Sequence, residues 1–198
     1  MKIIIVGASG TLGQAIVAEL GSRHDVIKAG RNGADVQVDI KDPGSVKAMY
    51  KQVGPVDAVV CAAGNVHFGA LGEFTPEQYE IGLKDKLMGQ INLVLAGQSL
   101  INTNGSFTLI SGVLDRDPIV MGSSAAMVNG AIDAYVRAAA IELPRGIRIN
   151  SVSPTVFVES METYGAFFRG FKAVPVAEAA LAFAKSVEGA QTGQTYRV

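Results

Sequence analysis

The segment Gly7-Ala8-Ser9-Gly10-Thr11-Leu12-Gly13 constrains this chain more than any other stretch. It follows directly on the apolar run Lys2–Val6 and opens a stretch of helical periodicity, Thr11–Gly21. Glycines in this register carry an entropic cost that a plain turn avoids. Each has a use here: Gly7 allows the tight turn, Gly10 removes the Cβ that would block a pyrophosphate, and Gly13 lets the helix pack close to the strand. The helix start, with Thr11 and Leu12 in its first turn, offers free N–H groups and the positive end of its dipole to an anion.

The rest of the chain repeats this alternation. Strands are predicted at Lys2–Val6, Val26–Ala29, Val36–Val38, Ala58–Cys61, Ser106–Ile110, Ile147–Val152 and Thr195–Val198. Helices are predicted at Thr11–Gly21, Pro43–Val53, Pro76–Ile101, Ser123–Leu143 and Val176–Val187, three of them at or beside a proline. Several strands lack polar alternation, as expected when helices cover both faces of a parallel sheet. The expected fold is therefore α/β, a doubly wound parallel sheet of Rossmann type with about seven strands, and its 198 residues suit a single domain. The segment from Ser153 to Val174 carries no assignment and is a natural substrate cover over the strand ends.

Composition excludes other classes. With 48% apolar and 18% charged residues the chain is globular. A net charge of −1 without a basic run argues against nucleic acid or an anionic membrane as partner. The lone Cys61 allows no internal disulfide, fits a reducing cytoplasm, and reads as a buried packing residue. The cofactor preference is read after the second strand, where Ala29-Gly30-Arg31-Asn32-Gly33 holds no carboxylate for a ribose 2′-OH. Arg31 can fork two N–H groups onto a 2′-phosphate, with Asn32 and Ser9 beside it, which favours NADP(H); the alternative is a solvated arginine in a turn. Asp39 suits an adenine amine and equally suits a local cap.

These motifs, with others in order along the chain, resemble the short-chain dehydrogenase/reductase family over nearly the full length. Gly7-x-x-Gly10-x-x-Gly13 is similar to the glycine loop of its extended and atypical members. Asp39-Ile40 resembles the adenine-contacting pair, and Cys61-Ala62-Ala63-Gly64 the Asn-Asn-Ala-Gly turn without its first Asn. Gly146-Ile147-Arg148-Ile149-Asn150-Ser151-Val152-Ser153-Pro154 resembles the sixth strand and the turn that meets the nicotinamide, with Thr155 where Gly is usual. Thr192-Gly193-Gln194-Thr195-Tyr196 resembles the last strand. The resemblance implies nucleotide contacts from Ala62, Ala63 and Gly64, and from Pro154, Thr155 and Val156.

The family's reaction uses an Asn, a Ser, a Tyr and a Lys. The Tyr protonates the carbonyl oxygen, the Ser holds that oxygen, and the Lys lowers the Tyr pKa and binds the nicotinamide ribose. In this chain the Tyr position falls at Ala125, the Lys position at Asn129, the Asn position at Lys86, and the Ser at Ser111 or Gly112. No Tyr-x-x-x-Lys occurs anywhere. A general acid contributes roughly 10²–10⁴ in rate, so hydride transfer here needs another donor or a substrate with little need of one.

Three residues are candidates for the substitute chemistry. Lys86 shares a helical stripe with Gly82, Gly89, Leu93 and Ala96, which suits an inward ammonium beside the cofactor; the other reading is a lysine reaching solvent. His67 follows the Cys61–Gly64 turn and is a candidate acid or a plain loop histidine. Ser111, like Ser123 and Ser124, offers a hydroxyl near the strand ends or a backbone cap. Tyr164 with Phe157, Phe167, Phe168 and Phe171 suits a cover over an apolar substrate, a core, or a subunit contact.

Two functions follow. One is an NADP(H)-dependent oxidoreductase acting on a small carbonyl or alcohol with an altered catalytic set; the other is an NADP(H)-binding sensor or scaffold without turnover. A homodimer or homotetramer is expected, because the helices at Leu87, Ile91 and Leu95 and at Met127, Ala131, Ala138 and Ile141 are apolar on more than one face.

Overall fold

The computed structural model describes residues 1–198. One seven-stranded sheet organises them, in the order β3-β2-β1-β4-β5-β6-β7 with every pair parallel. The strands are β1 (Lys2–Val6), β2 (Asp25–Gly30), β3 (Val36–Gln37), β4 (Val56–Cys61), β5 (Ile101–Ile110), β6 (Arg148–Ser153) and β7 (Thr195–Arg197). The helices are α1 (Thr11–Gly21), α2 (Pro43–Val53), α3 (Pro76–Gly82), α4 (Met88–Gly97), α5 (Ser123–Ala139), α6 (Met161–Tyr164) and α7 (Val176–Glu188). This is the doubly wound α/β fold expected from the alternation of apolar runs and helical stretches.

Strand β1 shows why the layers form. Its alternate residues Ile4 and Val6 enter one core with residues of α2, α4 and α5, such as Met49, Leu93 and Ile132. Ile3 and Ile5 enter the opposite core with Ile16 and Leu20 of α1 and Phe183 of α7. An all-apolar strand is therefore required at the centre. The chain winds outward from β1 to β3 and then returns past β1 to β4. That reversal opens a crevice at the C-terminal ends of β1 and β4, where ligands of such sheets bind.

Two expectations are corrected in detail. The long helix predicted over 76–101 ends at Gly97 and is broken by a π-helical turn, Leu83–Leu87. Its last predicted residue, Ile101, instead begins β5, whose Asn-Thr-Asn-Gly start mimics a turn and pairs through a register shift between Val56 and Ala58. The helix predicted over 123–143 ends at Ala139.

Gln90, one turn beyond the π segment, ties that turn to the sheet. Its side-chain amide nitrogen donates to the Lys86 carbonyl (3.0 Å) and the Ile110 carbonyl (2.9 Å), and its oxygen accepts from the Ile110 N–H (2.8 Å). Gln90 is fully buried, so none of these groups has water to turn to. Gln90→Leu is expected to destabilise the fold by about 3 kcal/mol through unsatisfied backbone groups. A urea transition would show this as a lower midpoint at unchanged slope; an unchanged midpoint would mean that the clamp carries no stability.

Candidate nucleotide and reaction site

A cavity of about 500 Å³ lies at the crevice between β1 and β4. The turn after β1 contributes Gly7, Ser9 and Gly10; the turn after β2 contributes Arg31 and Asn32; the end of β3 contributes Asp39 and Ile40; the turn after β4 contributes Ala62, Ala63 and Gly64. Ten residues expected from sequence to meet the nucleotide thus line one hollow. Thr11, Leu12 and Gly13 sit behind it as the first turn of α1. That helix starts at Gly10 with no side-chain cap and no acidic residue in its first turn, so its N-terminal donors stay open to an anion.

The glycines are demanded by contact. A Cβ on Gly13 would stand 2.0 Å from the Gly7 carbonyl oxygen, so α1 packs onto the loop only with hydrogen there. Gly7 itself has φ +83°, and a Cβ there would stand 2.9 Å from the Ala62 backbone. A phosphate suits this cradle, because Gly7 and Gly10 line it without side chains and the start of α1 carries neither a side-chain cap nor an acidic residue.

Arg31 is exposed at the cavity wall and its guanidinium engages no other side chain; Gln37 bonds only its carbonyl, at 3.2 Å. Asp39 accepts from the Lys41 N–H (3.0 Å), a local turn contact, while Asp42 is the residue that caps α2. Pro154, Thr155 and Val156 lie outside the cavity lining. The Pro154 carbonyl accepts from the Val113 N–H and the Thr155 N–H donates to the Val198 carbonyl. Thr155 lines a different hollow, with Phe171 and Arg197.

Among the reaction candidates, Lys86 and Ser111 meet and His67 does not join them. The Lys86 ammonium donates to the Ser111 carbonyl (2.8 Å) and to Asn129 Oδ1 (2.7 Å). Its stem runs under the Gly64 turn, where a Cβ would stand 2.6 Å from Lys86 Cγ. The Ser111 hydroxyl itself points at the Val152 carbonyl, 3.4 Å away. His67 packs edge-on against Phe74, with ring centroids 5.3 Å apart. Ser123 pairs with the Tyr79 hydroxyl at 3.0 Å, and the buried Ser124 hydroxyl has no partner.

Lys86 belongs to none of the chain's ion pairs. Enclosure by protein pulls its pKa down to about 8, with Cys61 and Asp133 acting in the opposite direction. Cys61, beneath the cavity, is fully buried and its thiol is pushed up to about 12 by that burial, which leaves it a packing residue.

Sequence reasoning missed Asp85 and Asn65, which line the cavity and are joined by a 3.2 Å bond from the Asn65 N–H to the Asp85 carboxylate. The π turn is the reason: regular helical spacing does not send neighbours 85 and 86 toward one site. It also missed Asn129 as a partner, because a residue on another helix gives no periodic signal. Ala125, one turn before Asn129, is buried among Val113, Leu114, Phe168 and Phe171.

The family model described as Enoyl-(Acyl carrier protein) reductase matches residues 3–198. The chain belongs to the short-chain dehydrogenase/reductase family. Among relatives of this oxidoreductase family, versicolorin reductase of Emericella nidulans is 28% identical over 184 residues, covering 76% of this chain and 67% of that protein. Human L-xylulose reductase is 26% identical over 180 residues, covering 81% of this chain and 73% of its own length. Among solved structures, the Listeria innocua protein lin1944 is 55% identical, with a TM-score of 0.99 over 100% of this chain and 99% of that one. A small-chain dehydrogenase in complex with NADPH shares the fold at 23% identity, with a TM-score of 0.90 over 100% of this chain and 96% of its own. No helix is long and apolar enough to cross a membrane.

Proposed function

We propose that this family member is an NADP(H)-dependent oxidoreductase acting on a small carbonyl or alcohol, with Lys86 in place of the usual Tyr and Lys. The observation that carries the reading is the Lys86 ammonium. It lies behind the Gly64 turn that lines the cavity of about 500 Å³, and neutral oxygens are its only protein partners. NADPH, when bound, supplies the hydride. The chain's part is to hold phosphate on the open start of α1, to meet a 2′-phosphate with Arg31 and Asn32, and to place one positive charge near the oxygen that gains electron density. A lysine whose pKa lies near 8 holds its proton at neutral pH and releases it readily.

An apolar substrate body suits the loops above the site. Phe68 after β4, Ile119–Met121 after β5, and Tyr164, Phe167 and Phe168 after β6 enclose a hollow of about 80 Å³ with no polar residue. The relatives' names, all reductases or oxidoreductases, support the reaction class, and the NADPH complex of a structural neighbour supports the cofactor. A second reading, an NADP(H)-binding protein without turnover, is favoured by one observation. Ala125, at the position of the family's acid, is buried in an apolar cluster with Val113 and Leu114.

We also propose that the protein self-associates through α4 and α5, whose outer faces expose Leu95 (55%), Met127 (41%) and, just past α5, Ile141 (87%). Light scattering is expected to show a dimer or tetramer; a monomer at working concentration contradicts it.

The cofactor reading predicts that Arg31→Asp removes a charged hydrogen bond of about 1.5–3 kcal/mol, a roughly ten- to hundredfold loss of NADPH affinity. Nucleotide fluorescence titration measures this, and a wild-type preference for NADH overturns it. The catalytic reading predicts that Lys86→Met lowers kcat by roughly 10²-fold or more, a larger loss than its effect on NADPH affinity. Because the active form is the protonated amine, turnover in the wild type is expected to fall as pH rises through about 8. NADPH oxidation across a carbonyl panel supplies both measurements. Unchanged kcat in Lys86→Met removes the lysine from the reaction, and NADPH binding without turnover of any carbonyl favours the second reading.

A further inference from the structure

We propose that Asn129 is a positioning residue for Lys86, fixing where the ammonium sits and how readily it gives up its proton. This rests on the reading of Lys86 as the charged group of the site, and deepens it. The ammonium has three protons. Two are taken by the Ser111 carbonyl and Asn129 Oδ1, which leaves one without a protein acceptor. Without Asn129 the amine would keep a single acceptor and a wide cone of positions.

The backbone is adapted to this pair from both sides. Gly64, after β4, carries no Cβ, and the Lys86 stem passes through the space a Cβ would need. Gly112, after β5, has φ +152°, and a Cβ there would stand 3.0 Å from Asn129 Nδ2. One glycine opens the path of the lysine and the other seats the amide. Helix packing alone asks for neither, and an apolar side chain at position 129 would serve the core better than a buried amide.

The choice of amide over carboxylate has a chemical consequence. A carboxylate at position 129 would form a buried ion pair and hold the proton tightly. A neutral oxygen orients the ammonium and stabilises its charge less than a carboxylate would, so the proton remains available near neutral pH. The other titratable groups that act on Lys86 are Cys61 on β4, which stays a thiol, and Asp133 on α5, which accepts from the Ser151 hydroxyl at 2.7 Å. Asp85, beside Lys86 in the π turn, is engaged by the Asn65 N–H.

The test is the titration of Lys86 in the full chain, followed by the Cε resonance of isotope-labelled lysine and assigned by the signal lost in Lys86→Met. Asn129→Asp, an isosteric change, is expected to move the midpoint up by about one pH unit or more, a tenfold change in proton affinity. Asn129→Leu is expected to move it down. The high-pH limb of turnover should follow in the same directions. A purely structural Asn129 would lower the melting temperature of both variants and leave the midpoint where it was; that result overturns the proposal. If Asn129→Leu fails to fold, Asn129→Asp alone decides. The reading beneath it fails separately: a Lys86→Met enzyme with full kcat removes the lysine from the reaction, whatever the midpoint does.

Discussion

A sheet in which every strand runs the same way must be re-entered from the same end after each strand. Most crossings then carry a helix, the short β2–β3 connection excepted, and all C-terminal strand ends collect on one side. In this chain that constraint brings the turns after β1, β2, β3 and β4 around one cavity, although they are spread from Gly7 to Asn65. It also buries the central strands on both faces, which is why Ile3, Ile4 and Ile5 stand in succession with no polar interruption. The glycine loop works only within this frame. Gly13 brings α1 so close to Gly7 that the helix start is aimed at the crevice.

The same constraint places the reaction groups. Helices α4 and α5 cover one face, and the ammonium of Lys86 lies between them at the end of β5. A half-buried cation without a carboxylate is costly, and the structure holds it with oxygens of Ser111 and Asn129 and with a π turn clamped by Gln90. Ala125 stands at the position of the family's usual acid, and the ammonium of Lys86 is held one helical turn along, at Asn129.

Much of the fold was legible in the sequence because it rests on local signals: apolar runs for buried strands, prolines at helix starts, glycines at the phosphate turn. Most of the cavity wall was legible for the same reason, since its pieces other than Asp85 follow the ends of β1 to β4. What was not legible depends on contacts between distant segments. The π turn has no periodic signature, so Asp85 was overlooked and the helix was expected to be continuous. The start of β5 reads as a turn because Asn102 and Asn104 look like loop residues; Asn102 instead bonds Asp57 across the strand pair at 2.8 Å. Ser111 was a candidate through its hydroxyl, and the structure uses its carbonyl. Asn129 read as a missing lysine, and only the fold shows it touching the lysine that is present.

The central claim is that the charge needed at the reaction centre is delivered by Lys86 from the π turn. A crystal structure of the full chain with NADPH tests it most directly. The account predicts the Lys86 amine about 3 Å from a hydroxyl of the nicotinamide ribose, with its bonds to Ser111 and Asn129 kept. A nicotinamide bound in the crevice with the Lys86 amine out of hydrogen-bond reach of both cofactor and substrate pocket would contradict it.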